Sequence, residues 1–278
     1  LPVSYLLNKP LISRSGYDVF AFSRHSQYSL KRLVLRALEL FASLTASAFI
    51  FATQNDLDSF LLRTKYLRLL KKKFFSKDVL TYILPNWVNT KLFTPLLDDI
   101  QPQLETSKIN FFSIGRLEDQ KNYLSLISLL ASSSYKTSLT IAGTGSEFSA
   151  IKNLSHKLRY DVTLLGRVDH SLLPGLINKH DIYIQNSLIE GNPKSVLEAM
   201  SCGAIVVCRD CPGIGQLIES KLNGYLYNSD NFHDTINTII SNQNLNLIRS
   251  NARTFIINKY NYSLYIKSLN VILESSIY

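Results

Sequence analysis

The chain has 278 residues, of which 46% are hydrophobic and 18% are charged. This apolar content allows a sizeable buried core and excludes an intrinsically disordered chain. The net charge of +9 favours anionic partners, without choosing between nucleic acid, anionic lipid and phosphorylated small molecules. The three cysteines are too few for a disulfide framework, so we expect a reducing compartment.

The first 95 residues contain strand and helix candidates in alternation. Residues 38–53 form the longest apolar stretch, but it is too short and too polar to predict a membrane-spanning helix. The proline-containing segment 85–103 has little periodicity and places a domain junction near 90–107. The predicted strands are "PLISRS" (10–15), "SAFIFAT" (47–53) and "LTYILP" (80–85), and the predicted helices cover about 27–45 and 56–75.

From about residue 108 onward, short apolar runs alternate with amphipathic helical stretches. The runs are nearly continuous in apolar residues, as strands covered on both faces are. Strand and helix in regular alternation predict right-handed βαβ units and a parallel sheet, with ligands at the carboxyl ends of the strands. The predicted strands are "INFFSIG" (109–115), "SLTIAG" (138–143), "VTLLG" (162–166), "DIYIQN" (181–186) and "AIVVCR" (204–209).

The stretch "IEGNPKSVLEAMSCG" (189–203) combines two acids with a predicted helix start. Asn192 is a favoured N-cap residue, and Pro193 fits the first helical position. The free amides and the dipole at this helix start predict an anion site, with Glu190 before it and Glu198 inside the helix. The dipole favours the charged form of both acids, which would then accept hydrogen bonds from hydroxyls. Complementing the dipole alone is an equally good interpretation from helix physics.

A second stretch, "SIGRLEDQKNY" (113–123), follows the first strand of the second domain. Gly115 permits a tight turn, and Arg116 and Lys121 bracket the start of the next helix. Two cations at the end of a strand are well placed to hold a diphosphate. Arg and Lys are more often solvated surface charges, but the strand-end position favours binding.

Taken together, these stretches resemble glycosyltransferase family 4, which comprises retaining enzymes of the GT-B fold that use nucleotide sugars. The resemblance covers about residues 80–228. It rests on "ILPNWVNTKLFTP", "IGRLEDQKN", "TIAGTGSE", "LLGRV", "HDIYIQNSLIEGNPKSVLEAMSCGAIVV" and "PGIGQLIESKLNGYL", which follow one another in the order of the family's motifs. It implies an α/β fold of two Rossmann-like domains with parallel sheets.

The resemblance also implies roles for individual residues. Arg116 and Lys121 would bind the donor diphosphate, Glu190 would contact the transferred sugar, and Glu198 would hold the ribose hydroxyls. The turn at 166–168 would lie against the base, and the backbone at 192–196 would contact sugar and phosphate. The implied donor-binding residues besides Glu198 are Gly115, Gly143, Gly166, Arg167, Val168, Asn192, Pro193, Lys194, Ser195 and Val196.

The resemblance further divides the chain. Residues 1–95 would be a remnant of the acceptor-side N-terminal domain, because only its last three strands are recognisable. This remnant indicates a fragment or a truncated gene product. Residues 96–107 would be a linker, 108–255 the nucleotide-sugar-binding domain, and 256–278 a helix that crosses back to the first domain.

The predicted function is therefore transfer of a sugar from a UDP- or GDP-linked donor to a glycan or lipid-linked acceptor, as in cell-surface polysaccharide synthesis. We expect no cofactor and no metal, because the two cations and the helix start would do the work of an ion. The alternative is a non-catalytic or degenerate donor-fold subunit that binds nucleotide or a protein partner.

Residues 59–77 carry seven Lys and Arg residues and no acid. They could contact an anionic membrane surface peripherally or form a solvated basic helix face, and the two interpretations weigh equally. Nucleic acid is not an expected partner, because no reader motif or stacking platform is present. The expected location is cytoplasmic, with the inner face of the membrane as the place of any peripheral contact.

Overall fold

The computed structural model describes residues 11–15, 34, 37–39, 41–42, 46–75, 80–96 and 108–277. The chain divides into two compact units. One comprises Leu1–Asn86 with Ser263–Tyr278, and the other comprises Trp87–Tyr262. None of the helices in the described ranges has both the length and the apolar character that a bilayer crossing requires.

The first unit contains a three-stranded parallel sheet in the order β1-β2-β3. All three strands lie where the sequence predicts them. Helix α1 begins at Gln54, two residues before the predicted start, because the Thr53 hydroxyl accepts a hydrogen bond from the Asp56 amide. The elements are β1 (Ile12–Ser15), β2 (Ala48–Phe51), α1 (Gln54–Phe75), β3 (Leu80–Ile83) and the C-terminal helix Tyr262–Ile277, which belongs to this unit from Ser263 onward.

Strand β2 is buried on both faces and organises the core of this unit. Phe49 and Phe51 point to one face and pack against Phe60 of α1 with tilted rings, at ring-centroid distances of 4.6 and 5.0 Å. Ile50 points to the other face and packs with Leu84 and Ile272. The helix predicted at about 27–45 lies mostly outside the described residues, although its described members 34, 37–39 and 41–42 are helical, and 97–107 of the predicted linker lie wholly outside them.

The second unit contains a six-stranded sheet in the order β6-β5-β4-β7-β8-β9, and all its pairings are parallel. The five predicted strands are confirmed to within one residue at every end, whereas the three-residue β9 was not predicted. The strands are β4 (Ile109–Ile114), β5 (Thr137–Ala142), β6 (Val162–Gly166), β7 (Ile182–Gln185), β8 (Ile205–Arg209) and β9 (Tyr225–Tyr227). The helices are α2 (Tyr123–Ala131), α3 (Phe148–Leu158), α4 (Leu173–Lys179), α5 (Lys194–Ser201), α6 (Phe232–Ile240) and α7 (Leu245–Lys259).

Both faces of this sheet are covered, as the continuous apolar runs predict. The adjacent residues Phe111 and Phe112 of β4 are fully buried in two different clusters, one on each face. The chain adds strands outward from β4 to β6 and then returns to the other side of β4 with β7. This reversal is a topological switch point, and it opens a crevice beyond the carboxyl ends of β4 and β7.

Candidate functional site

The loop after β4 carries Gly115, Arg116 and Lys121 to the switch point. Lys121 ends a short 3₁₀ helix (Asp119–Lys121), and Asn122 follows in the left-handed conformation, with φ 54°. The Lys121 side chain runs back over Gly115, where a Cβ atom would lie 2.9 Å from Lys121 Cε and 3.0 Å from the Tyr123 hydroxyl. A side chain at position 115 would therefore have to displace the lysine stem that runs over it.

Lys121 and Glu190 form an ion pair across the switch point. Lys121 Nζ lies 2.7 Å from Glu190 Oε1, and the two side chains are only 14% and 9% exposed. Gln185 Nε2, at the end of β7, donates a second hydrogen bond to the same carboxylate oxygen at 2.9 Å. The structure thus brings together two of the predicted catalytic residues, which are 69 positions apart in the chain.

The main chain of Glu190 is held by the loop after β8. The Glu190 amide donates to the Pro212 carbonyl at 3.0 Å. Gly213 has φ +89°, and a Cβ atom on it would lie 2.1 Å from the Glu190 carbonyl oxygen and 2.4 Å from that of Gly191. Only glycine fits this close approach of two backbones.

The helix after Glu190 begins one residue later than the sequence predicts. Pro193 is the N-cap residue, and α5 starts at Lys194, so the assignments of Asn192 as N-cap and Pro193 as first helical residue were wrong. The Asn192 side chain is buried and hydrogen-bonds with Tyr260, and the start of α5 has no side-chain cap. The open amino end of α5 therefore lies at Lys194 and Ser195.

Glu198 lies inside α5 and pairs with His170. His170 Nε2 lies 2.8 Å from Glu198 Oε1, with the acid 5% exposed and the histidine 53% exposed. Burial raises the pKa of Glu198, while the hydrogen bond and charge of His170 and the charge of Lys194 lower it. Burial is the largest of these influences on the pKa of Glu198, and it opposes the dipole effect that the sequence predicts.

The remaining predicted residues lie on the same edge of the sheet. The Gly143 amide donates to the Gly166 carbonyl at 2.8 Å, and a Cβ atom on Gly143 would lie 1.8 Å from the Gly115 carbonyl oxygen. Three strand ends therefore meet backbone to backbone. Gly166 has φ +68°, and the turn continues with exposed Arg167 and half-buried Val168.

Three predicted basic residues do not join the central ion pair: Arg116, Lys194 and the exposed Arg167 described above. The Arg116 side chain is exposed and has no hydrogen-bond or ion-pair partner among the residues that the structure describes, although its charge helps to lower the pKa of nearby Glu118. Lys194 Nζ lies 5.0 Å from the centroid of the Trp87 ring, and that ring lies 4.6 Å from Tyr262. Val196 is fully buried in the core, so it can contribute only its backbone to a ligand.

Three residues of this site were not assigned a role from the sequence: Gln185, His170 and Gly213. Gln185 could have been noticed as the one polar side chain in the apolar run "IYIQ". Across the described ranges, no group of three or more His, Cys, Asp or Glu side chains is arranged to hold a metal ion.

The chain is similar in sequence to glycosyltransferases. The sequence profile described as "Glycosyl transferases group 1" matches residues 98–255. An Escherichia coli UDP-Gal:alpha-D-GlcNAc-diphosphoundecaprenol alpha-1,3-galactosyltransferase is 26% identical over 87% of this chain and 63% of its own length. The phosphatidylinositol N-acetylglucosaminyltransferase GPI3 subunit of Saccharomyces cerevisiae is 26% identical over 83% of this chain and 50% of its own length. The chain thus spans between half and two thirds of these curated relatives.

The fold of this chain is similar to that of solved glycosyltransferase structures. HepE from Anabaena, in complex with UDP and glucose, matches 98% of this chain and 73% of its own, with a TM-score of 0.80 and 23% identity. This match confirms the predicted GT-B class, with parallel α/β units. Because the family profile covers more than half of the chain and includes the loop of Lys121, Glu190 and α5, this chain belongs to the glycosyl transferases group 1 family.

Proposed function

We propose that this protein transfers a sugar from a nucleotide diphosphate sugar, UDP- or GDP-linked, to a glycan or lipid-linked acceptor. One observation carries the proposal: a nearly buried Lys121–Glu190 pair, 2.7 Å apart, beside the open amino end of α5 at a switch point. A cation and helix amides suit the diphosphate, and an acid beside them suits a sugar hydroxyl. The UDP and glucose of HepE and the UDP-Gal of the Escherichia coli relative support this class of donor.

Each part of the site has a role in this proposal. Arg116 and Lys121 hold the diphosphate and stabilise the departing nucleotide, while Glu190 binds the transferred sugar. Glu198 accepts hydrogen bonds from the ribose hydroxyls, with His170 beside it, and the turn at 166–168 lies against the base. These cations and the helix end supply the positive field that a metal ion would otherwise provide, so no metal or cofactor is proposed.

We assign the reaction as retaining, in keeping with the family 4 resemblance. The bond between the sugar's anomeric carbon and the phosphate oxygen breaks as the acceptor oxygen forms its bond on the same face. The acceptor proton passes to the departing phosphate oxygen, so no protein nucleophile is required. Lys121 and the α5 amides stabilise the charge that grows on the leaving phosphate.

The test is nucleotide protection in thermal unfolding. UDP or GDP at 100 times its Kd should stabilise the protein by about 2.7 kcal/mol, since it binds only the folded state. Arg116→Ala and Lys121→Ala should lose this protection, whereas Lys157→Ala, which removes an exposed lysine of α3, should keep it. No protection by any nucleoside diphosphate would refute the donor site.

A second candidate function is a donor-fold subunit that binds nucleotide or a protein partner without turnover. The relative named as a GPI3 subunit favours keeping this candidate. The two candidates differ in whether the protein cleaves a nucleotide sugar. An enzyme releases UDP or GDP from its nucleotide sugar, whereas a non-catalytic subunit is protected by the nucleotide and leaves the nucleotide sugar intact.

We also propose a cytoplasmic location with peripheral membrane contact through 59–77. Helix α1 carries most of this basic run, and it exposes Leu62 and Leu69, which are 78% and 58% exposed. Basic and apolar groups on one helix suit an anionic bilayer, because each Lys or Arg near the surface contributes about 1 kcal/mol of attraction to anionic lipid.

Co-sedimentation with phosphatidylglycerol vesicles tests this contact. The bound fraction should fall with added salt and in the triple variant Lys71→Gln, Lys72→Gln, Lys73→Gln. Equal binding to phosphatidylcholine vesicles would contradict it.

A further inference from the structure

The side-chain amide of Gln185 lies between the proposed phosphate and sugar subsites. Gln185 is the last residue of β7 and only 2% exposed. Its Oε1 accepts hydrogen bonds from the Tyr183 hydroxyl and from the Ser195 hydroxyl, both at 3.1 Å, and its Nε2 donates to Glu190 Oε1 at 2.9 Å. Ser195 belongs to the first turn of α5, so one amide connects the helix start with the acid.

These contacts fix which way the amide points. A flipped amide would place its oxygen against the Glu190 carboxylate, and two acceptors would then face each other. Tyr183 is 1% exposed, and burial raises its pKa well above the ordinary tyrosine value, so its hydroxyl keeps the proton that it donates. The amide is therefore held with its two N–H groups on the side of Glu190.

Gln185 and Lys121 donate to the same carboxylate oxygen of Glu190. Both hydrogen bonds end on Oε1, and no residue in the described part of the chain donates to Oε2. Rotating the carboxylate would break both bonds at once, so Oε2 keeps one direction. An oxygen held in this way and left without a protein donor can accept a hydrogen bond from a ligand hydroxyl.

We propose that Gln185 is a positioning residue for sugar transfer. It holds Glu190 Oε2 towards the sugar and links that orientation to the phosphate-binding end of α5 through Ser195. The inference rests on the proposed function, since it assigns a partner for an acid of that same site. Gln185 touches neither sugar nor phosphate in this assignment and acts through Glu190.

The test uses the full chain with two substitutions at this position. Gln185→Leu keeps the size of the side chain and removes the amide, so the rate of UDP release from UDP-glucose or UDP-galactose should fall about tenfold or more. The affinity for UDP should change less than about threefold, because UDP lacks the sugar. If the wild type binds GDP more tightly than UDP, GDP-mannose replaces the UDP-sugar in the rate measurement and GDP replaces UDP in the affinity measurement.

Gln185→Glu supplies a readout that a structural role would not move. Two carboxylates at this distance share one proton and titrate as a pair. While the pair holds the proton, it can donate to Glu190 as the amide does. The rate of UDP release by Gln185→Glu should therefore be retained at low pH and fall as pH rises. The wild-type pH profile should lack this fall. UDP affinity over the same pH range is the control, because general damage to the site by the ionised pair would weaken UDP binding in parallel.

The outcomes separate this role from the proposed function. A Gln185→Glu pH profile parallel to that of the wild type, or a parallel loss of UDP affinity as pH rises, would overturn the positioning role. So would equal losses of UDP affinity and of turnover in Gln185→Leu, since those indicate general damage to the site. A wild type that binds UDP but releases none overturns it too, because Glu190 then serves no reaction. A wild type that binds no nucleoside diphosphate refutes the proposed function itself.

Discussion

Glu198 illustrates, at the scale of one residue, how an acid proposed to bind a ligand can lower the stability of the fold. Its carboxyl is 5% exposed and its pKa is raised, chiefly by burial. Below the ordinary glutamate pKa the group is protonated in both the folded and the unfolded chain, and burial of a charge costs nothing. As pH rises through the raised pKa of the folded state, the unfolded chain is already ionised, so the free energy of unfolding decreases.

The substitution Glu198→Gln should therefore be more favourable to stability at pH 7.5 than at pH 4.5. We expect the difference between the two pH values to be on the order of 1 kcal/mol in the free energy of unfolding, relative to wild type. Urea denaturation at both pH values measures it, with the exposed Glu219→Gln as control. A stability difference that does not change with pH would contradict the burial argument.

Glu190 should differ from Glu198 in what its loss affects. Removing a hydrogen bond to a charged group costs about 1.5–3 kcal/mol. In Glu190→Ala this cost should fall on turnover, because its proposed partner is the sugar. Glu198→Gln should instead weaken nucleotide affinity, because its proposed partner is the ribose. Steady-state rates and calorimetric Kd values for UDP separate the two. If Glu190→Ala lost UDP affinity as much as turnover, the two roles would be assigned wrongly.

At the scale of elements, the contact between two loops decides where Glu190 lies. The loop after β8 approaches the Glu190–Gly191 backbone so closely that Gly213, with φ +89°, leaves no space for a Cβ atom. Gly213→Ala should destabilise the protein by about 1–3 kcal/mol, through the strained φ and the displaced loop. Gly213→Ala should also lower the rate of UDP release from the nucleotide sugar, because a shift of this backbone displaces the Glu190 carboxylate.

Gly215→Ala is the matched control for this prediction. It lies two residues further along the same loop, and a Cβ atom there would have nothing within 4 Å. Urea denaturation and UDP-release rates of both variants provide the comparison. Equal effects of the two substitutions would mean that the loop, and not its contact with Glu190, is what matters.

The same elements show what the sequence could predict. Strands β4 to β8 could be recognised because each is a nearly continuous apolar run, as burial on both faces requires. Strand β9 has only three residues, "YLY", between polar turns, which is too short for a periodic signal. The start of α5 was misplaced by one residue because Asn192 has a strong capping preference, whereas tertiary structure engages its side chain with Tyr260.

For the whole molecule, the partners of the site residues depend on topology that composition and periodicity do not reveal. The motifs identified Lys121 and Glu190 separately, and the return of β7 to the far side of β4 is what brings them to 2.7 Å. The partners Gln185 and His170 escaped prediction for the same reason, since each is defined by a side-chain contact. The strand order is a property of the folded unit Trp87–Tyr262, which contains every residue of the proposed donor site.

This confinement to one unit predicts the pattern of amide hydrogen exchange on ligand binding. A ligand that binds only the folded state raises the free energy of the openings that expose its own contacts. Saturating UDP should therefore slow exchange in peptides covering 115–123, 166–170 and 186–198. Peptides from 46–75 of the other unit should change little, because none of their side chains belongs to the proposed site.

The variant Lys121→Ala is the control for this pattern. At the same UDP concentration it should lose the protection at all three loops together, since the proposed diphosphate contact holds the ligand against all of them. Stronger protection in 46–75 than in these loops would place the nucleotide elsewhere and would refute the donor site as described.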